Sequence, residues 1–285
     1  MARYQEIKRK IQNKYEVLPK NHRKIADYFI DNFDRIPFLN VQEVSEATTS
    51  SVASVVRFAQ RTGFKGFSEL REQIAESLQN QLSNKEIFPL FEKSKLEDDL
   101  LTSIANLEIK NINDTLHIIE RENFNKTVEM ILSSKRVFTA GLGISYLLAE
   151  ILAYQLTQVG VDASVFKHTH TIFHEQVLFL NSGDLIIAFS FPPYSKETVE
   201  TAKFADERNI KVISITNKEA SPISFYSKEN LIVKSENMLF TNSFAAISVL
   251  INAIATACAL KNKPKAKKVL KESMEIMASQ NQLLP

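Results

Sequence analysis

Two kinds of hydrophobic pattern divide the chain near residues 80–110. Before this boundary the apolar positions recur at helical spacing in short segments, and no stretch reads as a strand. Beyond it, runs rich in β-branched residues alternate with helix-length segments; the runs are RVFTA, DASVF, DLIIAFS, KVISIT and NLIVK. Such alternation predicts βαβ units and a parallel sheet of about five strands. We therefore expect an all-α N-terminal domain and then an α/β domain.

The segment NVQEVSEATTSSVASVVRFAQR predicts two short helices joined by a tight turn. Asn40 and Ser51 are residues that favour the N-cap position, and Thr48 to Ser50 interrupt the apolar pattern between them. This arrangement is typical of a helix-turn-helix, whose second helix can lie in the major groove of DNA. A small helical bundle with no DNA role fits the same pattern, so periodicity alone leaves both interpretations open.

Five polar residues in or just after the second helix are candidates for DNA contact. Two hydroxyls lie near the helix start, and two arginines four residues apart share one face, from which they can reach phosphate or guanine. The predicted DNA-binding residues are Ser51, Ser54, Arg57, Arg61 and Lys65.

Charge adds little to this prediction. Residues 1–24 carry eight Lys and Arg against two Glu, a local net charge of +6 on a chain whose total is only +2. A solvated helix face explains such a run more often than phosphate contact does. No run of 18 apolar residues occurs, and the charged N-terminus lacks the apolar core of a secretory signal. We expect a cytoplasmic protein with no membrane contact, in which the single cysteine, Cys258, packs in the core.

Glycines follow the first predicted strand of the α/β domain. RVFTA runs into GLGIS, Gly141 to Ser145, and a helix follows. Glycines let the backbone approach a ligand closely, and a helix N-terminus attracts anions. A dinucleotide fingerprint would need a third glycine where Tyr146 stands. An ordinary strand–helix turn therefore remains an open alternative.

The third strand, DLIIAFS, ends at Ser190 and enters the loop FPPYSKETVE. If the first and third strands are neighbours, their loops meet at the carboxyl edge of the sheet, where ligands of open α/β folds collect. Converging hydroxyls and two helix N-termini would form a phosphate cradle, to which the two prolines contribute no N–H donor. The predicted ligand-binding residues are Gly143, Ser145, Ser190, Ser195, Lys196, Thr198 and His170.

His170 belongs to the segment KHTHTIFHEQ, which also holds His168 and His174. His170 and His174 could share a helix face, but no cysteine or set of carboxylates completes a metal site. We predict no metal and no cofactor, with His170 bordering the ligand. Near the C-terminus, KNKPKAKKVLKESMEIM predicts a solvated amphipathic helix. Its apolar residues, predicted to face inward, are Val269, Leu270, Met274 and Met277; a second DNA contact by its lysines is the alternative.

The N-terminal segment VSEATTSSVASVVRFAQRTGFKGFSELR resembles the DNA-binding domain of RpiR-type, phosphosugar-responsive transcription regulators. The resemblance covers residues 15–75 and rests on VRF, on GFKGFSEL and on the upstream helix IADYFIDNFDRI. Two positions depart from the family pattern. Thr49 replaces the usual turn glycine, so we expect an altered turn, and Val56 replaces a hydroxyl residue before the arginine.

Residues 110–260 resemble the sugar isomerase (SIS) domain, through GLGIS, NSGDLIIAFS, KETVETAKFADERNIKVISITN and SPISFYSKENLIV. The resemblance implies a three-layer α/β fold with a five-stranded parallel sheet that binds phosphosugars at the loops described above. The family pattern Ser-x-Ser-Gly-x-Thr is matched by Ser190, Ser195 and Thr198, in a longer loop. Lys196 replaces its glycine, and Pro193 replaces an arginine found in the longer variant.

These features together predict a transcription regulator of sugar or amino-sugar metabolism that responds to a phosphosugar. We expect a helix-turn-helix domain over 1–80, a linker over 81–108 and an SIS domain with a C-terminal helix over 109–285. Expected partners are an operator duplex, a phosphosugar and a second copy, because two readers one DNA turn apart need a two-fold partner. A sugar-phosphate isomerase or related phosphosugar enzyme with an accessory helical domain is the alternative, but Glu150, Glu175 and Glu197 lack a paired catalytic group. A third alternative is an assembly protein that needs no ligand.

Overall fold

The computed structural model describes residues 3–33, 35–84, 99–167, 171–238 and 242–280. These residues form two compact units. The first comprises the described residues up to Asn84 together with 220–222 and 238, and the second comprises the rest from Asp99 onward. Over this described part of the chain, no single helix is long and apolar enough to cross a membrane; only the bent pair Ala245–Lys261 and Lys263–Ser279 meets that test together.

The elements described between residues 3 and 84 are all helices or 3₁₀ turns, as predicted. The helices are α1 (Arg3–Lys14), α2 (Lys20–Asp31), α3 (Val41–Ala47), α4 (Val52–Arg61) and α5 (Phe67–Asn84), with short 3₁₀ turns at Tyr15–Val17 and Ile36–Phe38. The core is aromatic at its centre: the ring of Phe29 lies 5.1 Å from that of Phe58 and 6.4 Å from that of Phe67. These rings come from α2, α4 and α5, so the apolar faces of three helices converge on one cluster.

Local capping determines where α3 and α4 begin, and both predicted N-caps are confirmed. Asn40 Oδ1 accepts from the Glu43 N–H at 2.9 Å, and Glu43 Oε2 accepts from the Asn40 N–H at 2.7 Å. This reciprocal pair is a capping box. At α4, Ser51 Oγ accepts from the Ser54 N–H at 3.2 Å. The two helices of the motif therefore start where the sequence predicts.

The turn between α3 and α4 keeps a left-handed residue although glycine is missing. Thr49 has a φ of 49°, and its side chain is exposed. The expected change of turn is therefore not seen at this position: the backbone holds threonine in the left-handed region. The Ser50 N–H donates to Ser45 O at 2.8 Å and Thr48 Oγ1 donates to Val44 O at 2.7 Å, and these bonds tie the turn to α3.

The second unit alternates strands and helices along the chain. Its helices are α6 (Leu100–Ile118), α7 (Arg121–Ser133), α8 (Ile144–Gln158), α9 (Phe173–Val177), α10 (Lys196–Glu207), α11 (Ala245–Lys261) and α12 (Lys263–Ser279), with a 3₁₀ turn at Pro222–Tyr226. Its strands are β1 (Val137–Ala140), β2 (Ala163–Val165), β3 (Leu185–Ser190), β4 (Lys211–Thr216) and β5 (Glu229–Ile232). All five predicted strands are present. A helix begins at Leu100, inside the segment predicted as linker.

The five strands form one all-parallel sheet in the order β2-β1-β3-β4-β5. The chain order reverses between β1 and β3, where Ala140 pairs with Ala188. Every residue of β3 is buried, because both faces of the central strand are covered. The predicted adjacency of the first and third strands is confirmed, so their following loops leave the sheet at one edge.

An ion pair between the half-exposed Arg136 and the buried Asp184 joins β1 and β3 at the opposite edge. Arg136 donates from Nε to Asp184 Oδ1 at 3.0 Å and from Nη2 to Asp184 Oδ2 at 2.5 Å, and the Asn181 N–H donates to the same carboxylate at 2.8 Å. Burial raises the pKa of Asp184, but the hydrogen bonds from Arg136 and Asn181 outweigh this effect and leave the pKa below its usual value. The charged pair thus fixes the amino ends of the two strands that carry the candidate site.

The C-terminal helix departs from the prediction. In α12 only Ala266 is buried, while Leu270, Met274 and Met277 are exposed and Val269 is half-buried. The expectation that this stripe faces inward is wrong, because α12 leaves α11 at a bend of 108°. Periodicity identified the apolar face correctly but could not say whether the chain covers it.

The strain at Thr49 gives a stability prediction. Left-handed backbone costs a residue with a Cβ about 1–2 kcal/mol, whereas glycine loses about 0.5–1 kcal/mol of extra chain entropy on folding. Thr49→Gly should therefore raise the free energy of unfolding by about 0.5 kcal/mol, measured by urea denaturation. Gly63→Ala is the matched reverse variant, since Gly63 has a φ of 98° and open space around it; it should destabilise. Shifts of the same sign in both variants would contradict this account.

Candidate nucleic-acid interface and ligand site

The exposed face of α4 carries two arginines. Arg57 and Arg61 are one helical turn apart and both are exposed. Among the residues that the structure describes, neither guanidinium forms an ion pair with a carboxylate. Gln60 lies beside them on the same helix, and its amide donates to Lys65 O at 3.3 Å. Exposed guanidinium groups without an internal partner can bind an external anion at no cost in broken ion pairs.

The remaining predicted DNA-binding residues lie at the two ends of α4. Ser51 is exposed, and its hydroxyl is engaged as the N-cap and lies 2.9 Å from Ser54 Oγ. The two hydroxyls therefore support each other at the helix start. Lys65 is exposed after the end of α4, and its N–H donates to Glu69 Oε2 at 2.5 Å. All five residues lie in one continuous segment, with both arginines between the serines and the lysine.

A buried histidine behind α4 was missed by the sequence reasoning. His22 of α2 is 7% exposed, its ring meets Phe58 of α4 edge-on at 6.5 Å, and its Nδ1 has no hydrogen-bond partner among the described residues. Burial lowers the pKa of His22, and the positive charges of Arg61 and Arg57 lower it further. Burial and the two arginines therefore both favour the neutral form of the His22 ring, and the field of the arginine pair reaches the core of the unit.

The loop from β1 to α8 depends on two glycines. A Cβ added to Gly141 would lie 2.6 Å from the carbonyl oxygen of Ser145, so only glycine allows this close approach. Gly143 is the N-cap of α8 with φ 62° and ψ −130°, a conformation that side chains rarely adopt. Ser145 is buried in the first turn of α8. The loop thus brings free N–H groups and one hydroxyl to the carboxyl edge of β1.

The loop from β3 to α10 is held by hydrogen bonds that its carbonyl groups accept and by one that its tyrosine donates. Thr216 Oγ1 donates to Ser190 O at 2.6 Å, and Asn242 Nδ2 donates to Pro192 O at 2.6 Å. Tyr194 OH donates to Asn217 Oδ1 at 2.7 Å. The peptide bond between Pro192 and Pro193 is cis. These contacts fix the backbone of the loop and engage neither the Ser190 nor the Thr198 hydroxyl.

Two hydroxyls at this edge are buried without a partner. Ser190 Oγ and Thr198 Oγ1 make no hydrogen bond within the described part of the chain. Ser195 is the N-cap of α10, and its Oγ accepts from the Thr198 N–H at 3.2 Å. A buried hydroxyl without a partner is costly, typically about 1–3 kcal/mol, so such groups mark places where another polar group binds.

The other predicted ligand-binding residues have different surroundings. Lys196 is exposed and forms an ion pair with Glu200 at 3.4 Å, so its charge is shared with its own helix. His170 and His168 lie outside the described residues. His174 is in α9, where its ring centroid lies 5.4 Å from that of Phe204. Among the described residues, no three His, Cys, Asp or Glu side chains cluster so that they could hold a metal ion.

The carboxylates considered as catalytic bases have structural roles or lie exposed. Glu197 Oε1 accepts from the Phe173 N–H at 3.0 Å and so holds the first residue of α9. Glu150 is exposed and accepts from Tyr146 OH at 3.2 Å, and Glu175 is exposed.

A polar network links the candidate ligand loop to α6, and the sequence reasoning missed it. Asn242, which holds Pro192, accepts from Ser235 Oγ at 3.0 Å. The adjacent Glu236 backbone exchanges two hydrogen bonds with the buried Asn111 side chain of α6, at 2.8 and 3.1 Å. More than 120 residues separate Asn111 from Glu236, so no local motif could reveal the contact. The network makes the loop after β3 and the helix α6 parts of one hydrogen-bonded structure.

Each half of the chain matches a known protein family. The rpiR-family helix-turn-helix domain matches residues 5–81, and the SIS domain matches residues 130–257. An uncharacterized HTH-type transcriptional regulator of Haemophilus influenzae is 27% identical over 233 residues, which is 80% of this chain and 79% of the relative. Another, from Caldanaerobacter subterraneus, is 29% identical over 220 residues, 76% of each chain.

Among solved structures, the chain is similar to the Vibrio vulnificus NanR protein complexed with ManNAc-6P. The two share 25% identity with a TM-score of 0.60, over 96% of this chain and 98% of that one. The fold class predicted from the sequence is confirmed. The chain belongs to the RpiR-type transcription regulators, which join an N-terminal helix-turn-helix domain to an SIS domain.

Proposed function

We propose that this regulator binds a phosphosugar at the carboxyl edge of β1 and β3 and thereby changes its affinity for an operator of sugar or amino-sugar metabolism. The observation that carries the proposal is the pair of buried, unpartnered hydroxyls of Ser190 and Thr198. Phosphate oxygens accept hydrogen bonds strongly, and the N-termini of α8 and α10 supply further donors. The similarity to a regulator solved with ManNAc-6P supports the same ligand class.

The site favours binding without conversion. Proton transfer on a sugar needs a positioned base, and Glu197 is already hydrogen-bonded to the backbone of α9. The phosphate is held by hydroxyls and backbone N–H groups, with Gly143 allowing close approach and Ser145 and Ser195 at the two helix starts. Lys196 contributes little while it pairs with Glu200. The sugar phosphate then acts as a signal whose chemistry is unchanged.

Ligand binding at the loop after β3 can affect α6 through hydrogen bonds. Ligand contact with the loop after β3 acts on Pro192, and Asn242 and Ser235 connect that loop to the segment clamped on Asn111. Helix α6 is the first described helix of this unit along the chain, so the network extends to the N-terminal end of the unit. Ligand shifts operator affinity only if it binds one arrangement of the dimer more tightly than another.

The DNA interface can be tested on a duplex that the wild-type protein selects from a random pool. Arg57→Ala should weaken binding about tenfold, because a guanidinium contact to phosphate or guanine is worth about 1–3 kcal/mol. Fluorescence anisotropy across a salt series tells whether Arg57 contacts phosphate or guanine. Loss of a phosphate contact lowers the slope of log affinity against log salt concentration by about one, whereas loss of a guanine contact does not. Lys126→Ala removes the same charge from α7 and should leave affinity unchanged. Equal affinities for wild type and Arg57→Ala would remove Arg57 from the interface.

The ligand site can be tested with Ser190→Ala combined with Thr198→Val. Removing unpartnered buried hydroxyls should leave the unliganded protein as stable as wild type or more so, since no hydrogen bond is lost. The same variant should lose the thermal shift that ManNAc-6P or another amino-sugar 6-phosphate causes. Thr139→Val is the opposite control: its hydroxyl donates to Ala149 O at 2.8 Å, so it should lower stability by about 1 kcal/mol and keep the ligand shift. If the double variant keeps the ligand-induced thermal shift, the ligand does not bind at the proposed site. Turnover of the sugar phosphate by the wild-type protein would favour the isomerase alternative.

A further inference from the structure

An open groove of about 560 Å³ lies beside helix α4 in the first unit. Its lining comes from the start of α3, from α4 at Val56, and from the turn between α4 and α5 together with the first residues of α5. Val56 directly precedes Arg57 along α4, and Lys65, another predicted DNA contact, lines the groove as well. This α3–α5 groove is therefore continuous with the residues of α4 that are predicted to bind DNA.

The segment GFKGFSEL, on which the family resemblance rests, forms much of the wall opposite α3. The amide of Gln60 donates to Lys65 O at 3.3 Å, so this segment is joined to α4. Gly66 lies against α4 as well, since a Cβ added there would lie 4.0 Å from Val56 Cγ1. Of the whole segment, only Lys65 is among the predicted DNA contacts. The position of the other residues beside α4 indicates a further role.

Two cations line the α3–α5 groove, and the carboxylate in the same lining is already engaged. Lys65 is exposed and Arg71 is half-buried, and neither forms an ion pair within the described part of the chain. The Glu69 carboxylate accepts from the Lys65 N–H at 2.5 Å and from Gln73 Nε2 at 3.2 Å. Arg71 Nη1 lies 3.5 Å from Leu39 O, so the guanidinium reaches from α5 to the chain just before α3. The lining thus carries a net positive charge.

The rest of the lining combines apolar surface with neutral hydrogen-bond donors. Val41 and Val56 are half-buried and present methyl groups, while Gln42 and Ser68 are exposed and carry an amide and a hydroxyl that can donate. The backbone of a DNA strand offers the matching surfaces, because each charged phosphate is followed by a deoxyribose with an apolar face. The chemistry of the groove therefore fits a sugar–phosphate backbone.

We propose that the α3–α5 groove holds the sugar–phosphate backbone of one operator strand while α4 lies in the major groove. In a helix-turn-helix the first helix crosses the DNA backbone, and this groove lies at the start of that helix. Lys65 and Arg71 bind a phosphate, and Gln42 and Ser68 donate hydrogen bonds to the same strand. These contacts fix the register of α4 on the duplex without reading bases. The inference rests on the proposed function and adds Gln42, Ser68 and Arg71 to the DNA interface.

Arg71→Gln tests the phosphate contact in the full-length protein, on the duplex that the wild-type protein selects. Loss of one phosphate contact should weaken binding about fivefold at about 0.15 M salt and lower the slope of log affinity against log salt concentration by about one. The preference for the selected duplex over a scrambled one should not change, because a phosphate contact carries no sequence information. Arg71→Lys keeps the charge and should keep the slope. Wild-type affinity and slope in Arg71→Gln would overturn the inference.

Uncharged phosphate analogues in the duplex locate the contact. Each phosphate of the selected site is replaced in turn by a methylphosphonate. One replacement should weaken wild-type binding about fivefold and have no effect on Arg71→Gln, because both changes remove the same contact and are therefore not additive. If every replacement weakens both proteins equally, the Arg71 guanidinium contacts no phosphate and the inference is wrong.

A carboxylate placed in the α3–α5 groove should repel the DNA backbone. Ser68→Glu puts the charge in the first turn of α5, where an acidic side chain favours the helix, so thermal stability should be kept. Operator affinity should fall about tenfold through repulsion of the phosphate. Asn125→Glu adds the same charge at an exposed position of α7 and should leave affinity unchanged. Equal operator affinities for the two variants would contradict the inference.

Thermal unfolding with inorganic phosphate tests a free anion as a different occupant. Phosphate should change the Tm of the wild type and of Arg71→Gln equally, because a single ion makes too few contacts to stay in an open groove. A Tm increase that Arg71→Gln abolishes, with operator affinity unchanged, would assign the groove to a free anion and overturn the inference. Operator binding that depends on Arg57 but not on Arg71 would overturn this inference alone. Failure of the wild-type protein to bind any duplex would overturn the proposed function as well.

Discussion

The parallel pairing of β1 with β3 determines where the second unit can hold a ligand. Because chain order reverses at this pair, α8 and α10 leave adjacent strands, and their N-termini serve one edge. Arg136 and Asp184 lock the opposite edge. Two further features serve this edge. Gly141 and Gly143 let the loop after β1 approach a ligand closely, and the loop after β3 lies between the unpartnered hydroxyls of Ser190 and Thr198.

Features that depend on neighbours in sequence could be predicted. The strands are short β-branched runs in a repeating βαβ order, which is why all five were found. Asn40 and Ser51 cap helices within three residues of themselves, so the helix-turn-helix start points were also readable. Thr49 shows the limit of local preference. The hydrogen bonds of Ser50 and Thr48 to α3 hold the left-handed turn that threonine alone would avoid.

Features that depend on distant contacts could not be read from the sequence. Nothing near His22 indicates that its ring packs behind α4, within the field of Arg57 and Arg61. Nothing in the sequence around Asn111 and Asn242 indicates their roles, because their hydrogen bonds go to the backbone of Glu236 and Pro192, which lie far away along the chain. The apolar stripe on α12 was visible as a pattern, but its exposure depends on the bend after Lys261, which the pattern does not show.

We propose above all that a sugar phosphate bound at the β1–β3 edge changes the affinity of α4 for DNA. The most direct measurement is the affinity of the wild-type protein for its selected duplex, with and without saturating ManNAc-6P, at fixed salt. Calorimetry run in parallel establishes whether the sugar phosphate is bound. We predict a change of fivefold or more, the lower end of typical coupling between sites. Equal affinities with the sugar phosphate demonstrably bound would contradict the account.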